Sequence, residues 1–291
     1  MSETTPIAPP SPRGPLARCI TRVLDRVEGL VGVLLPERWS RRGLAERLRV
    51  DRIPLALPGA GAGLAGLRIL LVTDCHAGPF FGPGHARLLA ARAAPLEPDL
   101  VLLGGDNINN HAGQTAALVP FIEGLDPPRG FYAVTGNHEH LNAEPGPCTE
   151  RLAAAGVKVL RNTGVRISCG GSGFWLAGVD DAGEGRPDLA KALVGAEPGE
   201  PVILLSHQPD FFPLAVAAGV AVQLSGHTHA GQIRIGGWAP MTHTRHGFLH
   251  GRYERQGARL HVSAGVGTTL LPLRIGTRPE LLLFEVESCH Y

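Results

Sequence analysis

Paired cysteines, a charge excess of one sign and long apolar runs are all missing from this sequence. The five cysteines are odd in number and include no C-x-x-C pair, so neither a disulfide framework nor a structural zinc site is indicated. The formal net charge is only +1, which provides no general field for holding a polyanionic backbone. We therefore expect a reducing compartment, and nucleic acid is an unfavoured partner.

Export and membrane-spanning signals are also missing. The start of the chain has no signal peptide of basic and then apolar residues, and no segment has the roughly 18 predominantly apolar residues of a spanning helix. A cytoplasmic location is the resulting expectation. The 291 residues are enough to bury a sizeable core without help from a metal ion.

The first 52 residues differ in composition from the rest. Residues 1–15 are rich in Pro, Ser and Thr and are expected to form a mobile tail, whereas residues 16–35 place apolar side chains at helical spacing, with arginines on another face. The whole segment contains ten Lys/Arg and six Asp/Glu. Two interpretations of the amphipathic stretch stay open: peripheral contact with the inner membrane face, or packing on the catalytic domain.

The main domain is predicted at residues 67–291, after a short helix at 41–49 and a linker at 53–66. Its first half alternates strands and helices in successive βαβ units, with strands at 67–73, 100–103 and 131–134 and helices at 86–94 and 115–122. Its second half has closely spaced strands at 165–168, 175–179, 202–205, 220–224, 260–262 and 281–286. We predict an α/β four-layer sandwich of helices, two mixed β-sheets and helices, with an N-terminal amphipathic helical extension at 1–52.

Polar side chains follow three strands of the first half. Asp74 and His76 end the first strand, Asp106 follows the second, and Asn137 and His138 follow the third. Alternation along a strand predicts that Asp74 and His76 point the same way. Since the carboxyl ends of parallel strands meet at one edge of a sheet, we expect these residues to lie close together.

The second half adds imidazoles after two further strands. His207 follows one strand, and His227 and His229 follow the next as an H-x-H pair. Imidazole is the commonest metal-binding side chain. The remaining histidines are expected at the surface or in ordinary hydrogen bonds: His85, His111, His140, His243, His246, His250, His261 and His290.

In order and spacing, these motifs resemble those of the calcineurin-like metallophosphoesterases, and the resemblance covers residues 67–291. Three later segments are similar to the bacterial branch that contains membrane-associated phosphodiesterases and UDP-diacylglucosamine hydrolases: Gly265–Thr269, Pro272–Gly276 and Arg278–Glu280. The resemblance implies two divalent or transition metal ions, and nitrogen and oxygen donors without thiolate fit Mn, Fe or Zn. It assigns Asp74, His76, Asp106 and His229 to the first ion, and Asp106, Asn137, His207 and His227 to the second. Asp106 would bridge the two ions, and His138 would face the phosphoryl group.

The function implied by this resemblance is hydrolysis of phosphate esters by a metal-bridging hydroxide. The expected substrates are small-molecule or lipid-type phosphodiesters or pyrophosphate-linked compounds. Two alternatives stay open. A non-catalytic scaffold with this fold would be free to lose its metal ligands or His138, and a nuclease should have a basic groove.

Six positions outside the metal-ligand set carry separate expectations. Ala264 stands where the branch tends to have Arg, and its effect on substrate choice is open; Ala230 stands where Gly often follows the H-x-H pair. Arg274 is expected at the surface or in an ion pair rather than on phosphate, as is Arg278. Core packing is the expected role of Trp175 and Trp238.

Overall fold

The computed structural model describes residues 27, 29–32, 37–59, 61–141 and 145–287. Twelve strands in these ranges form two six-stranded sheets. From one edge to the other, the first sheet contains β1 Arg49–Leu55, β12 Glu280–Val286, β2 Arg68–Val72, β3 Leu100–Leu103, β4 Phe131–Ala133 and β5 Val157–Val159. Strands β2 to β5 are parallel, so β2, β3 and β4 direct their carboxyl ends to the same edge.

The second sheet is also mixed. Its order is β10 Gly251–Arg255, β11 Ala258–Val262, β9 Val222–Ser225, β8 Val202–Leu205, β7 Ser172–Gly178 and β6 Thr163–Cys169. The outer pairs β10–β11 and β6–β7 are antiparallel hairpins, whereas β7, β8, β9 and β11 are parallel. Strands β8 and β9 therefore end side by side, as the strands of the first sheet do.

Helices cover the outer faces of the two sheets. The α-helices are α1 Glu37–Arg47, α2 Pro83–Ala93, α3 Val119–Glu123, α4 Asn137–Leu141, α5 Pro145–Ala154, α6 Leu189–Ala192 and α7 Phe212–Ala217. Short 3₁₀ segments lie at Ala62–Leu64, Ala94–Leu96, Ala112–Leu118, Pro209–Phe211 and His229–Gly231. The last of these carries a predicted metal ligand.

Three apolar clusters separate four layers. In β2, Leu70 and Val72 pack in the cluster under the helices, and Ile69 and Leu71 pack in the cluster between the sheets. Since both faces of this strand are buried, its sequence is a continuous apolar run rather than an alternating one. A third cluster lies on the outer face of the second sheet, where α7 contributes Phe212. The predicted α/β fold with two mixed sheets between helices is confirmed.

The region before residue 67 differs from the prediction. The predicted linker begins inside β1, which pairs with β12 in parallel from Arg49 to Leu55. Helix α1 also packs on the domain, because Arg47 donates to the carbonyl oxygens of Arg274 and Thr277 at 2.6 and 2.8 Å. The sheet therefore starts before the predicted boundary. The sequence signal was weak because Arg49, Asp51 and Arg52 interrupt the apolar pattern on an edge strand.

Most of the amphipathic stretch at 16–35, like the tail at 1–15, lies outside the described residues. Among the described residues of this stretch, Val27 and Leu30 have exposed side chains. No helix in the described part of the chain is both long and apolar enough to cross a bilayer. The predicted core position of Trp175 is confirmed, but that of Trp238 is wrong, because its side chain is 67% exposed.

Replacement of Leu55 by alanine tests whether β1 belongs to the domain. Leu55 is 1% exposed and lies in the cluster between the sheets, so Leu55→Ala should lower the free energy of unfolding by about 2–5 kcal/mol. Urea denaturation measures this loss. Val194→Ala, at a side chain that is 74% exposed, is the control and should change it by less than about 0.5 kcal/mol. Equal midpoints for the two variants would contradict the packing of β1.

Candidate metal centre

The two sheets bring the predicted ligands to one place. Asp74 and His76 follow β2, Asp106 follows β3 and Asn137 follows β4, all at the carboxyl edge of the first sheet. His207 follows β8, and His227 and His229 follow β9, at the facing edge of the second sheet. The side chains that the sequence predicts as ligands therefore come from both halves of the fold.

One group of ligand atoms lies nearest β2. It contains Asp74, His76 and His229, whose donor atoms are all within 4.8 Å of one another. The two imidazole Nε2 atoms are 3.0 Å apart, and His229 Nε2 is 3.5 Å from the Oδ1 of Asp74. This is the set predicted for the first ion, without Asp106.

A second group lies beside it. Asp106, His207 and His227 have donor atoms within the same limit of 4.8 Å. His207 Nε2 is 3.1 Å from the Oδ2 of Asp106, and the rings of His207 and His227 are 5.1 Å apart. This is the set predicted for the second ion, without Asn137.

Asp106 lies between the two groups. The same Oδ2 that approaches His207 is 3.6 Å from the Nε2 of His76. Its Oδ1 accepts a hydrogen bond of 2.9 Å from the backbone N–H of His138. The ring of His138 is 4.5 Å from that of His76, and it forms a further group of candidate ligands with His76 and Asp106.

The backbone of these loops is unusual. Five of the predicted ligands have a positive φ, between 46° and 72°: Asp74, His76, Asp106, His227 and His229. Few non-glycine residues adopt this conformation, and such strain concentrates at functional sites. Strand alternation is therefore the wrong reason for the proximity of Asp74 and His76, because β2 ends at Val72 and the loop conformation sets their directions.

Two glycines let backbone approach the carboxylates. A Cβ on Gly226 would collide with the Oδ2 of Asp74, and one on Gly136 would collide with the Oδ1 of Asp106. In the space left by Gly226, the N–H of His227 donates to the carboxylate of Asp74 at 3.0 Å. The loops of the two sheets are thus connected directly at the site.

The donor atoms fit divalent metal ions. Asn137 Oδ1 and His207 Nε2 are buried and have no hydrogen-bond partner among the described residues. Because the Nδ1 of His207 donates to the carbonyl oxygen of Gly104 at 2.9 Å, its Nε2 carries the lone pair of the neutral ring. Buried polar atoms without partners are costly, and a cation would satisfy both.

The electrostatics of the site favour neutral imidazoles beside ionised carboxylate. Burial, and then the charges of neighbouring rings, lower the pKa of His76, His227 and His229 well below the ordinary value. Burial opposes ionisation of Asp106, but the charges of His207 and His138 outweigh it and hold its pKa well below the usual range. Neutral imidazole and carboxylate are the forms that bind metal.

Asp74 and His207 differ from these groups. Burial raises the pKa of Asp74 to about 6, although the charge of His207 opposes this rise. For His207, burial disfavours the cation, but the carboxylates of Asp106 and Asp74 raise its pKa well above the ordinary value. A bound cation would reverse both tendencies, since it favours the ionised acid and the neutral ring.

Glu139 is a site residue whose role the sequence did not indicate. Its side chain is fully buried, and it accepts hydrogen bonds from the backbone N–H groups of Gly136 and Asn107, both at 2.7 Å. It therefore connects the loop after β3 to the loop after β4. Glu139 directly follows the predicted residues Asn137 and His138, but only the structure shows which donors it satisfies.

Arg274 was wrongly predicted to lie at the surface or in an ion pair. It is 5% exposed and donates to the carbonyl oxygens of Gly267 and Ala264, at 2.6 and 2.7 Å. It also donates to the carbonyl oxygen of His229 at 3.3 Å. Burial lowers its pKa to about 10. Arg274 therefore holds the backbone beneath the first ligand group.

His243 is a further residue that sequence reasoning missed. It was assigned to the surface, and its side chain is exposed, but its ring is 5.6 Å from that of His227. Asp210 fixes its loop by accepting from the Oγ1 of Thr244 and the N–H of Arg245, both at 2.6 Å. Since His243 lies 14 positions beyond His229 and outside any motif, no sequence signal connected it to the site.

Comparison with known proteins agrees with this site. The sequence profile of the calcineurin-like phosphoesterases matches residues 67–231, more than half of the chain. The chain belongs to this family and is a metal-dependent phosphoesterase, so the predicted superfamily is confirmed. The family match and the clustered His and Asp side chains indicate a divalent metal centre.

Relatives extend from bacteria to animals. The chain is 30% identical over 231 residues to the uncharacterized metallophosphoesterase YkuE of Bacillus subtilis, covering 78% of this chain and 81% of that protein. It is 33% identical over 289 residues to a Bos taurus transmembrane protein with metallophosphoesterase domain, covering 92% of this chain but only 61% of the relative. Among solved structures, an NAD nucleotidase of Haemophilus influenzae is similar with a TM-score of 0.44 and 16% identity, over 69% of this chain and 45% of that one.

Replacement of Arg274 by lysine tests its role under the ligand loops. Lysine keeps the charge but lacks the planar fork that serves several carbonyl oxygens. Arg274→Lys should lower the free energy of unfolding by about 1.5–3 kcal/mol and weaken metal affinity roughly 10–100-fold. Urea denaturation and metal titration measure the two effects. Arg278→Lys, at an exposed position, is the matched control. An Arg274→Lys protein that equals this control in both measurements would contradict the assignment.

Proposed function

We propose that the chain is a dinuclear phosphoesterase in which Asp106 bridges two metal ions. The observation that carries the proposal is the position of Asp106 Oδ2, 3.6 Å from His76 Nε2 and 3.1 Å from His207 Nε2. A carboxylate has two oxygens and can span ions about 3.5–4 Å apart. Asp74, His76 and His229 complete one set, and Asn137, His207 and His227 complete the other.

When bound, such ions lower the pKa of water and neutralise phosphoryl oxygens. The charges of the proposed ligands determine the net charge of the site. Only two of the seven proposed ligands are carboxylates, Asp74 and Asp106, and Asn137 contributes a neutral oxygen. The charge of the loaded site is therefore positive, which suits an anionic phosphate ester.

His138 is the proposed acid–base group. Its Nδ1 is 2.6 Å from the carbonyl oxygen of Asn109, and because a carbonyl only accepts, Nδ1 carries a proton. The Nε2 atom is then the one that can exchange a proton with substrate. Held in this way beside His76 and Asp106, His138 would stabilise phosphoryl charge or protonate the leaving oxygen.

The proposed substrates are small-molecule or lipid-type phosphodiesters or pyrophosphate-linked compounds. Support comes from the segments 265–269 and 272–276, which are similar to the bacterial branch with phosphodiesterases and UDP-diacylglucosamine hydrolases. Peripheral contact of residues 16–35 with the inner membrane face belongs to the same proposal. Manganese, iron and zinc all suit the nitrogen and oxygen donors.

A substrate panel tests this proposal. The purified chain is assayed with phosphomonoesters, cyclic and linear diesters and UDP-lipids, each with Mn, Fe or Zn. We expect diester or pyrophosphate hydrolysis that stops after exhaustive chelation and returns with metal. Turnover that persists without metal would overturn the mechanism.

The bridging role of Asp106 makes a specific prediction about metal content. The parent chain should bind about two ions, and Asp106→Ala should lose affinity for both because one carboxylate serves both sets. Asp74→Ala is the matched comparison and should mainly affect one. Elemental analysis of protein equilibrated with limiting metal gives the occupancy. Full occupancy of both positions in Asp106→Ala would refute the bridge.

The role of His138 predicts a separation of binding from turnover. His138→Ala should keep its fold and its metal content while kcat falls by roughly 10²–10⁴, the usual scale for a positioned acid–base group. His246→Ala, at an exposed ring, should leave kcat unchanged. If kcat of His138→Ala equalled that of this control, His138 would be a structural residue.

A further inference from the structure

An exposed apolar surface lies next to the metal centre. We call it the apolar platform and define it by Ile235, Trp238, Leu271, Leu273 and Ile275. In the first of its two segments, Ile235 and Trp238 are 65% and 67% exposed. In the second segment, the exposed fractions of Leu271, Leu273 and Ile275 are 39–47%. Large apolar side chains are uncommon in such positions unless they meet a partner.

Two β-bridges place Ile235, Trp238 and Ile275 on one face. A parallel bridge pairs Ile233 with Ile275, and an antiparallel bridge pairs Ile235 with Trp238. Paired residues project to the same side, and residues two apart share that side. Exposure alternates accordingly, since Arg274 is 5% exposed between two exposed neighbours.

Hydrogen bonds connect the two segments of the apolar platform. The N–H of Arg234 donates to the carbonyl oxygen of Ile275 at 2.8 Å, and the N–H of Ile275 donates to that of Gln232 at 3.1 Å. Gln232 Nε2 donates to the carbonyl oxygen of Thr269 at 2.8 Å. These hydrogen bonds join the two segments.

The platform is also close to the chemistry. Gln232 lies three positions after the proposed ligand His229, and Arg274, which lies between Leu273 and Ile275, donates to the carbonyl oxygen of His229. A partner that rests on the platform would therefore lie beside the metal centre.

The charge around the platform identifies its partner. Residues 230–253 and 255–279 contain no Asp or Glu, whereas Arg234 and Arg278 adjoin the two segments. An exposed Trp beside cationic side chains is typical of surfaces that rest in a bilayer interface, where the ring lies at headgroup level and arginine contacts anionic lipid. The apolar side chains and the arginines together match an anionic lipid surface.

We propose that the apolar platform docks the chain on an anionic bilayer, with Ile235 and Trp238 inserted at the interface. This surface is distinct from residues 16–35. The docking does not depend on the proposed reaction, because it is measured as binding.

Vesicle sedimentation of the full chain tests the proposal. The parent should pellet with phosphatidylcholine vesicles that contain phosphatidylglycerol, and less with phosphatidylcholine alone. The double variant Ile235→Ser/Trp238→Ser should bind about tenfold or more weakly, because two large apolar side chains no longer leave water. The control Val194→Ser removes an equally exposed apolar side chain elsewhere and should bind like the parent.

Two further measurements separate the outcomes. Tryptophan emission of the parent should shift to shorter wavelength on anionic vesicles, and Trp238→Ser should lose that shift. Metal-dependent hydrolysis of a soluble diester should be equal in parent and double variant, so a failure of docking is distinguishable from a failure of the proposed function. The proposal is overturned if the parent ignores both vesicle types, if the double variant binds like the parent, or if the variant changes only self-association.

Discussion

The burial of two carboxylates within one small volume is the constraint on which the rest of the structure depends. Asp74 and Asp106 are 0% and 2% exposed, and an isolated buried carboxylate is unfavourable by several kcal/mol. Here the N–H groups of His227 and His138 contact the two acids, and ring nitrogens surround them. The loops must adopt left-handed backbone to deliver these donors, and the core must hold the loops in that shape. Burial of the two carboxylates therefore lowers stability but creates a site that attracts cations.

Loops from both sheets stabilise the buried carboxylates and their neighbours. Asp74 lies in the loop after a strand of the first sheet, but it accepts a hydrogen bond from the N–H of His227 at the edge of the second. His207 of the second sheet likewise donates to the carbonyl oxygen of Gly104 in the first. Residues that hold the loops also determine the geometry, since Glu139 accepts from backbone N–H groups and Arg274 contacts backbone carbonyl oxygens and the ring of His229.

Much of the fold was predictable because its signals are local. The strands 100–103 and 202–205 were predicted with their observed bounds, since continuous apolar runs indicate strands buried on both faces. The ligand set came from motifs that follow such strands. By contrast, β1 has charged residues on an edge strand, Trp238 lies on a hairpin tip, and Arg274 is buried by carbonyl oxygens from distant loops. None of these three environments is encoded near the residue itself, so the sequence alone could not locate them.

The pairing of β1 with β12 has a consequence for how the chain is made. Leu55 pairs with Val286 in β12, so β1 has no partner in the sheet until residue 286 has emerged. At a synthesis rate of about 5–20 residues per second, that wait lasts on the order of 10–50 s. During this time the ribosome-bound chain carries an unpaired strand with apolar residues, while β2 to β5 are free to assemble as a parallel core. The first sheet is therefore completed only after β12 has been synthesised.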